Sequence, residues 1–200
     1  MKATSFAAIC VSIVSFLTLL PYTYAQGART AHRTLDQLVD ESDVVVHGHI
    51  VSATFERHPQ LRNLKTLVVT MRVIDTYKGR PRHNLVFRQF VWGNAAQETR
   101  GAYLKGQEMI LLLRPVSENG LTSPAGLEQG SFRIVPDPHG QLTAVNGRGN
   151  VGLFENMEKE GRRQGLQLSP KAAALLNKRD PGPVPVKVLE ETIRSLARPR

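Results

Sequence analysis

Hydrophobic residues between Val44 and Val145 recur largely in twos, the period of strands that bury one face. The pattern is densest in Ser42-Asp43-Val44-Val45-Val46-His47-Gly48-His49-Ile50-Val51, a β-branched run entered from a polar turn. It predicts a first long strand, because branched side chains suit a pleated, buried surface. Val44, Val46, Gly48 and Ile50 would share one face, and Val45, His47, His49 and Val51 the other. Gly48 would let the strand bend sharply with no side chain inside the curve.

A short amphipathic helix is expected just before it. Thr34 offers an N-cap, Leu35, Leu38 and Val39 stand at helical spacing, and Asp36 places negative charge near the exposed N–H groups of the first turn. After the polar, proline-containing stretch Phe55 to Asn63, a second long strand spans Leu64 to Tyr77, with Leu67, Val69, Met71 and Val73 on one face and Thr66, Thr70 and Arg72 on the other. Gly79 and Pro81 end it, the first by permitting a left-handed turn residue and the second by removing a ladder donor. Leu85 to Trp92 forms a third strand.

Ala95 to Gly106 is a polar loop. Gln107 to Arg114 is nearly continuous in apolar residues and is closed by Pro115, which suits a central strand covered on both faces. Phe132 to Val135 and Gln141 to Val145 make two shorter strands around the turn Asp137-Pro138-His139-Gly140. Five or so strands with hairpin signals between them, opened by a helix, predict a mainly β fold, a small antiparallel barrel or sandwich.

Beyond Asn150 the pattern changes to a helical, proline-punctuated extension over residues 151–200. Ser169-Pro170 introduces a helix as cap and first-turn proline. Asp180-Pro181-Gly182-Pro183-Val184-Pro185 is expected to be an irregular, semi-rigid spacer. Val186, Leu189, Ile193 and Leu196 then stripe one face of a last helix. That stripe packs back on the barrel or docks a partner.

Composition adds a compartment. Met1 to Ala25 has Lys2 near its start, an almost unbroken apolar run from Phe6 to Leu20, and Thr23-Tyr24-Ala25 at its end, the form of a cleaved secretory signal peptide. The apolar run is shorter than the roughly 20 residues of a spanning helix, so no membrane span is expected after cleavage. The single cysteine, Cys10, falls in that leader. A mature chain from Gln26 would hold no disulfide, no thiol nucleophile and no cysteine metal site. Export to a bacterial periplasm or the extracellular space is the expected fate.

The chain carries 26 Lys and Arg against 17 Asp and Glu, a net charge of +9. The excess gathers between Thr54 and Arg100. Such a field draws anionic polymers, and export argues against nucleic acid and for a protein or an anionic polysaccharide as partner. The candidate surface is Arg72, Lys78, Arg80, Arg82, Arg88 and Trp92, since small barrels commonly bind across strand faces and adjoining loops. Aromatics there also serve as core, and the charge as a solvated surface.

Candidate chemistry is sparse. His47 and His49 form a His-x-His pair on one strand face, a common half-site for zinc or copper. Completion requires another ligand, for which His32, His58, His83 and His139 are available. The plainer reading is two imidazoles on the less apolar face of a half-exposed strand. Asn146-Gly147-Arg148-Gly149-Asn150-Val151-Gly152 contains a formal G-x-G-x-x-G, but no helix is expected after it and no acid stands about 20 residues on, so a dinucleotide site is not supported. No catalytic residue is assigned, as no local nucleophile, metalloprotease or P-loop motif occurs.

The order of a helix, Ser-Asp-Val-Val-Val-x-Gly-x-Ile, a long strand ending in Tyr77-Lys78-Gly79, then Gly106-Gln107-Glu108 before Ile110-Leu111-Leu112-Leu113 resembles uncharacterised exported bacterial proteins. Those in turn are similar to the netrin-like domain of tissue inhibitors of metalloproteinases, an oligonucleotide/oligosaccharide-binding (OB) barrel. The resemblance implies an OB-like barrel over residues 34–150 and no functional residue, because the inhibitors chelate zinc through an N-terminal cysteine that this chain lacks after Ala25. The expectation is an exported, non-catalytic binding or interaction module. The alternative is a metal-binding protein or metal-dependent enzyme using His47 and His49.

Overall fold

The computed structural model describes residues 31–91, 102–155 and 181–197, with residues 157, 170, 173 and 174 between the last two. The proposed signal peptide, Trp92 and the helix introduced by Ser169-Pro170 fall wholly or largely outside the described residues. The described chain is mainly β. Helix α1 (Leu35–Asp40) leads into β1 (Val44–Arg57), β2 (Lys65–Lys78), β3 (Asn84–Phe90), β4 (Glu108–Leu113), β5 (Ser131–Pro136), β6 (Leu142–Asn146), β7 (Val184–Pro185) and helix α2 (Val186–Leu196). The strands form one antiparallel sheet in the order β3-β2-β1-β4-β5-β6-β7.

Alternation along the strands builds two apolar cores, one on each face. Val46 and Ile50 of β1, Leu67, Val69 and Met71 of β2, Phe87 of β3, and Met109, Leu111 and Leu113 of β4 pack together on the first face. Val45 of β1 and Ile110 and Leu112 of β4 point the other way, into a core shared with Phe132, α1 and α2. The continuous apolar run of β4 thus lies between two cores. Its residues 109–113 are all buried.

The sheet is open, with β3 and β7 as its edges, and not closed as the barrel expectation required. The reason lies in β5. It pairs with β4 only through Met109, Ile110 and Leu111, then continues with β6 and β7 over the α1/α2 core instead of returning to β3. The rest of β4 is flanked by the segment 123–125, where Arg114 N donates to Ser123 O and Ala125 N to Leu112 O. Just before it, Thr122 N donates to Arg88 O of β3 at 2.9 Å.

The expected spacer is partly regular. Val184 and Pro185 pair with Ala144 and Thr143 of β6. Proline is tolerated there because β7 is an edge strand with an outer side that needs no donor. The last helix is not a free docking helix: Val186, Val188, Leu189, Thr192 and Ile193 are buried, and α2 packs on α1, β2, β6 and β7. Among the described residues no helix is long and apolar enough to cross a membrane.

The glycine-rich exit from β6 is a turn held by two asparagines. Asn146 and Asn150 each donate a backbone N–H to the other's side-chain oxygen at 2.9 Å. Asn150 Nδ2 bonds Ala144 O and Gly182 O, both at 2.9 Å, while Gly182 N donates to Gly149 O at 2.8 Å.

At Gly48 the long strands β1 and β2 come so close that a Cβ would collide with the Arg72 carbonyl, beside a register shift between His47 and Gly48. Gly48→Ala is therefore expected to destabilise by about 3 kcal/mol, the upper end of overpacking. Gly140→Ala, at a turn with φ 79° and open space around it, should cost only about 1 kcal/mol of left-handed strain. Urea denaturation of the two variants measures the difference; equal losses would mean that the Arg72 carbonyl does not fix residue 48.

Candidate functional site

His47 lies on the α2-facing side of β1, with its side chain 10 % exposed. A polar ring in this position requires partners, since an unpaired buried donor or acceptor is destabilising. Glu108, at the start of β4, places Oε1 2.8 Å from Nε2, and Glu190 of α2 places Oε1 3.2 Å from Nδ1. Tyr77 of β2 donates its hydroxyl to the same Glu190 oxygen at 2.7 Å. Arg194, one helical turn beyond Glu190, lies over the Tyr77 ring at 4.6 Å and bonds Asp75 at 2.6 Å. The result is a network joining β1, β2, β4 and α2.

Burial foremost, then the hydrogen bond to Glu190 and the negative charges of Glu190 and Asp75, push the Tyr77 phenol well above its usual range, with Arg194 opposing. Burial alone does the same to Tyr103. Neither phenol is available as a phenolate nucleophile near neutral pH. Both ring nitrogens of His47 face carboxylates, so the ring is committed to holding α2 on the sheet.

The His-x-His pair is divided by this packing. His49 is half-buried, opposite Arg72 and Glu108 in register, and its side chain has no hydrogen bond among the described residues. The other histidines are placed separately. His32 Nε2 donates to Gly152 O at 3.0 Å, and buried His58 organises the β1–β2 turn through Asn119 O and the amides of Gln60 and Leu61. His83 and His139 are exposed. Among the described residues no three His, Cys, Asp or Glu side chains converge as metal ligands.

The basic residues are likewise sorted. Lys78 Nζ donates to Val39 O at 2.7 Å, satisfying the C-terminal end of α1. Arg88 is held by Thr66 and Glu56 at 2.7 and 3.0 Å. Arg72 and Arg80 are exposed and, with Lys78, line neither cavity described below. Phe87 is core, edge-on to Tyr103; Phe90 faces a groove.

That groove, about 800 Å³, runs between the end of β3, the 114–124 segment, β4 and β5, with Phe90, Met109, Arg114, Leu121, Glu128 and Arg133 among its walls. Glu128 is engaged by Arg148 at 3.1 Å. Arg114 and Arg133 are exposed and have no ion pair among the described residues. A smaller recess of about 250 Å³ follows the β3 edge past Arg82, Val86, Arg88, Arg114 and Val116. Arg114 and Thr122 belong to both.

Sequence reasoning reached His47, Arg82 and Arg88 but missed Glu108, Glu190, Tyr77, Arg114 and Arg133. One usable signal was histidine on a branched apolar face, where a buried ring demands partners. Another was Arg114, placed directly between a buried strand and Pro115. Compared with protein-family models, curated proteins and solved structures, the chain matches none.

Removing the network's members should destabilise in a fixed order. His47→Ala leaves Glu108 and Glu190 without the ring that bridges them and should cost about 3 kcal/mol, the upper end for groups left without a hydrogen-bond partner. Tyr77→Phe removes one hydrogen bond, about 1 kcal/mol, and Arg194→Ala, half exposed, less than about 1 kcal/mol. Denaturant titrations rank them, and a negligible effect of His47→Ala would show that the ring does not anchor α2.

A chain from Gln26 has Tyr77 and Tyr103 as its tyrosines, and both phenols are raised in the folded state. Their contribution to stability is complete below the ordinary phenol range and lost as pH rises above it. Phenolate absorbance should appear only together with loss of the circular dichroism of the fold. Ionisation near the ordinary value in the folded chain would contradict the burial of both rings.

Proposed function

We propose that this chain is an exported, non-catalytic binding module of OB-like, netrin-like kind, and that its groove takes an acidic segment of a partner protein. The observation that carries the reading is the pair Arg114 and Arg133, exposed and without ion pairs among the described residues, beside an apolar wall of Met109 and Leu121. Guanidinium groups without carboxylate partners favour a carboxylate-bearing ligand, and an apolar wall favours one that also has hydrophobic side chains. The OB-like element rests on β1, β2, β3 and β4 curving around a shared core and on the Thr122–Arg88 hydrogen bond between the far ends of that curve. Export rests on the leader pattern and on the absence of cysteine after Ala25.

Calorimetric titration with poly-L-glutamate tests the reading, with polygalacturonate as the polysaccharide counterpart. Arg114→Glu and Arg133→Glu should each weaken poly-L-glutamate binding about tenfold, the loss of one charge-assisted hydrogen bond. The affinity should also fall with added salt. Affinity unchanged by both substitutions would remove the groove from the reading, and tighter binding of polygalacturonate would move the ligand to a polysaccharide.

A further inference from the structure

The outer edge of β3 is open along part of its length. Val73 N donates to His83 O, and the β2–β3 register then makes Leu85, Phe87 and Gln89 the residues bonded to β2. Asn84, Val86 and Arg88 therefore present their backbone groups outward. The Thr122 amide takes Arg88 O at 2.9 Å, whereas the backbone of Val86 has no outer partner among the described residues. Val86 is 62 % exposed and Val116, across the recess, 64 % exposed.

An edge with free N–H and C=O groups is a template for one more strand. The charges around it decide which strand. Arg82 and Arg114 line the recess and neither has a carboxylate partner among the described residues; Arg88 is already held by Glu56. A second copy paired antiparallel about Val86 would set its Arg88 opposite Asn84 and diagonal to Arg82, gathering the arginines of both copies, and like charges close across strands are destabilising. An acidic strand meets no such penalty. The positive side chains thus guard the edge against self-pairing while leaving it open to a segment of opposite charge.

We propose that an extended, acidic segment of a partner protein adds to the sheet along β3 at Asn84–Val86, short of the Arg88 carbonyl that Thr122 occupies, its carboxylates reaching Arg82 and Arg114 and an apolar side chain resting on Val86 and Val116. This rests on the binding-module reading and specifies how that ligand is held.

The probe is the blocked heptapeptide Glu-Val-Glu-Thr-Glu-Val-Glu, labelled for fluorescence anisotropy, against the same peptide N-methylated at alternate residues on its pairing edge. N-methylation should weaken binding at least tenfold, because it removes backbone hydrogen bonds and leaves charge unchanged. Val86→Pro, which deletes an outward amide at a position where proline is tolerated, should do the same. Equal binding of the two peptides overturns strand addition even if Arg114→Glu still weakens both, and the groove reading then stands without it. Loss of all peptide binding in the unaltered protein overturns it too. Sedimentation showing self-association abolished by Val86→Pro would give the edge to a second copy and likewise overturn the proposal.

Discussion

A strand with both faces covered has no polar side, and the two strands at the centre of this sheet, β1 and β4, live under that constraint. Successive residues of β4 enter opposite cores, so the strand can hold the two apolar layers together only by being hydrophobic at nearly every position. The architecture follows from it. β2 and β3 wrap one side of the pair, α1, β5, β6 and α2 the other, and each layer is incomplete without the central strands. His47 is the one imidazole on β1 that falls under the helical layer, and the same constraint explains why it is gripped by carboxylates from two elements.

The constraint also separates what was legible in the chain from what was not. The two-residue alternation of β2, the unbroken apolar run of β4 and the capped turn of α1 are local statements, and each element appeared where its pattern stood. Burial of α2 was half legible: its stripe required a surface, but the sequence could not say which. Closure of the sheet was not legible at all. It depended on whether β5 returned to β3 or continued over the second core, and that is decided by packing among Phe132, Ile134, Ala144 and α2, whose neighbours lie far away in sequence. Glu190 was hidden for the same reason, as a polar residue on the flank of a helix with a partner on the first strand.

The candidate site shows the same division between local and distant information. Counting basic residues between Thr54 and Arg100 marked a stretch rich in cations, yet the fold spends Lys78 on a helix terminus and Arg88 on Glu56. The arginines left for a ligand include Arg114 and Arg133, outside the counted stretch. Charge density in a sequence therefore marks where cations are plentiful; only the folded partners reveal which of them are uncommitted. Opening of the sheet and exposure of those arginines have one origin, since the departure of β5 from β4 creates both the β3 edge and the groove beside it.

The asparagine pair at the exit of β6 has a further implication for how this chain tolerates change. By fixing Gly182 to Gly149 and Asn150, it pins the two ends of the intervening stretch to a single point on the fold. With both ends fixed at one place, the closure entropy of the connection between them grows only with the logarithm of its length, and β7 and α2 take their seats from contacts made beyond it, with β6 and α1.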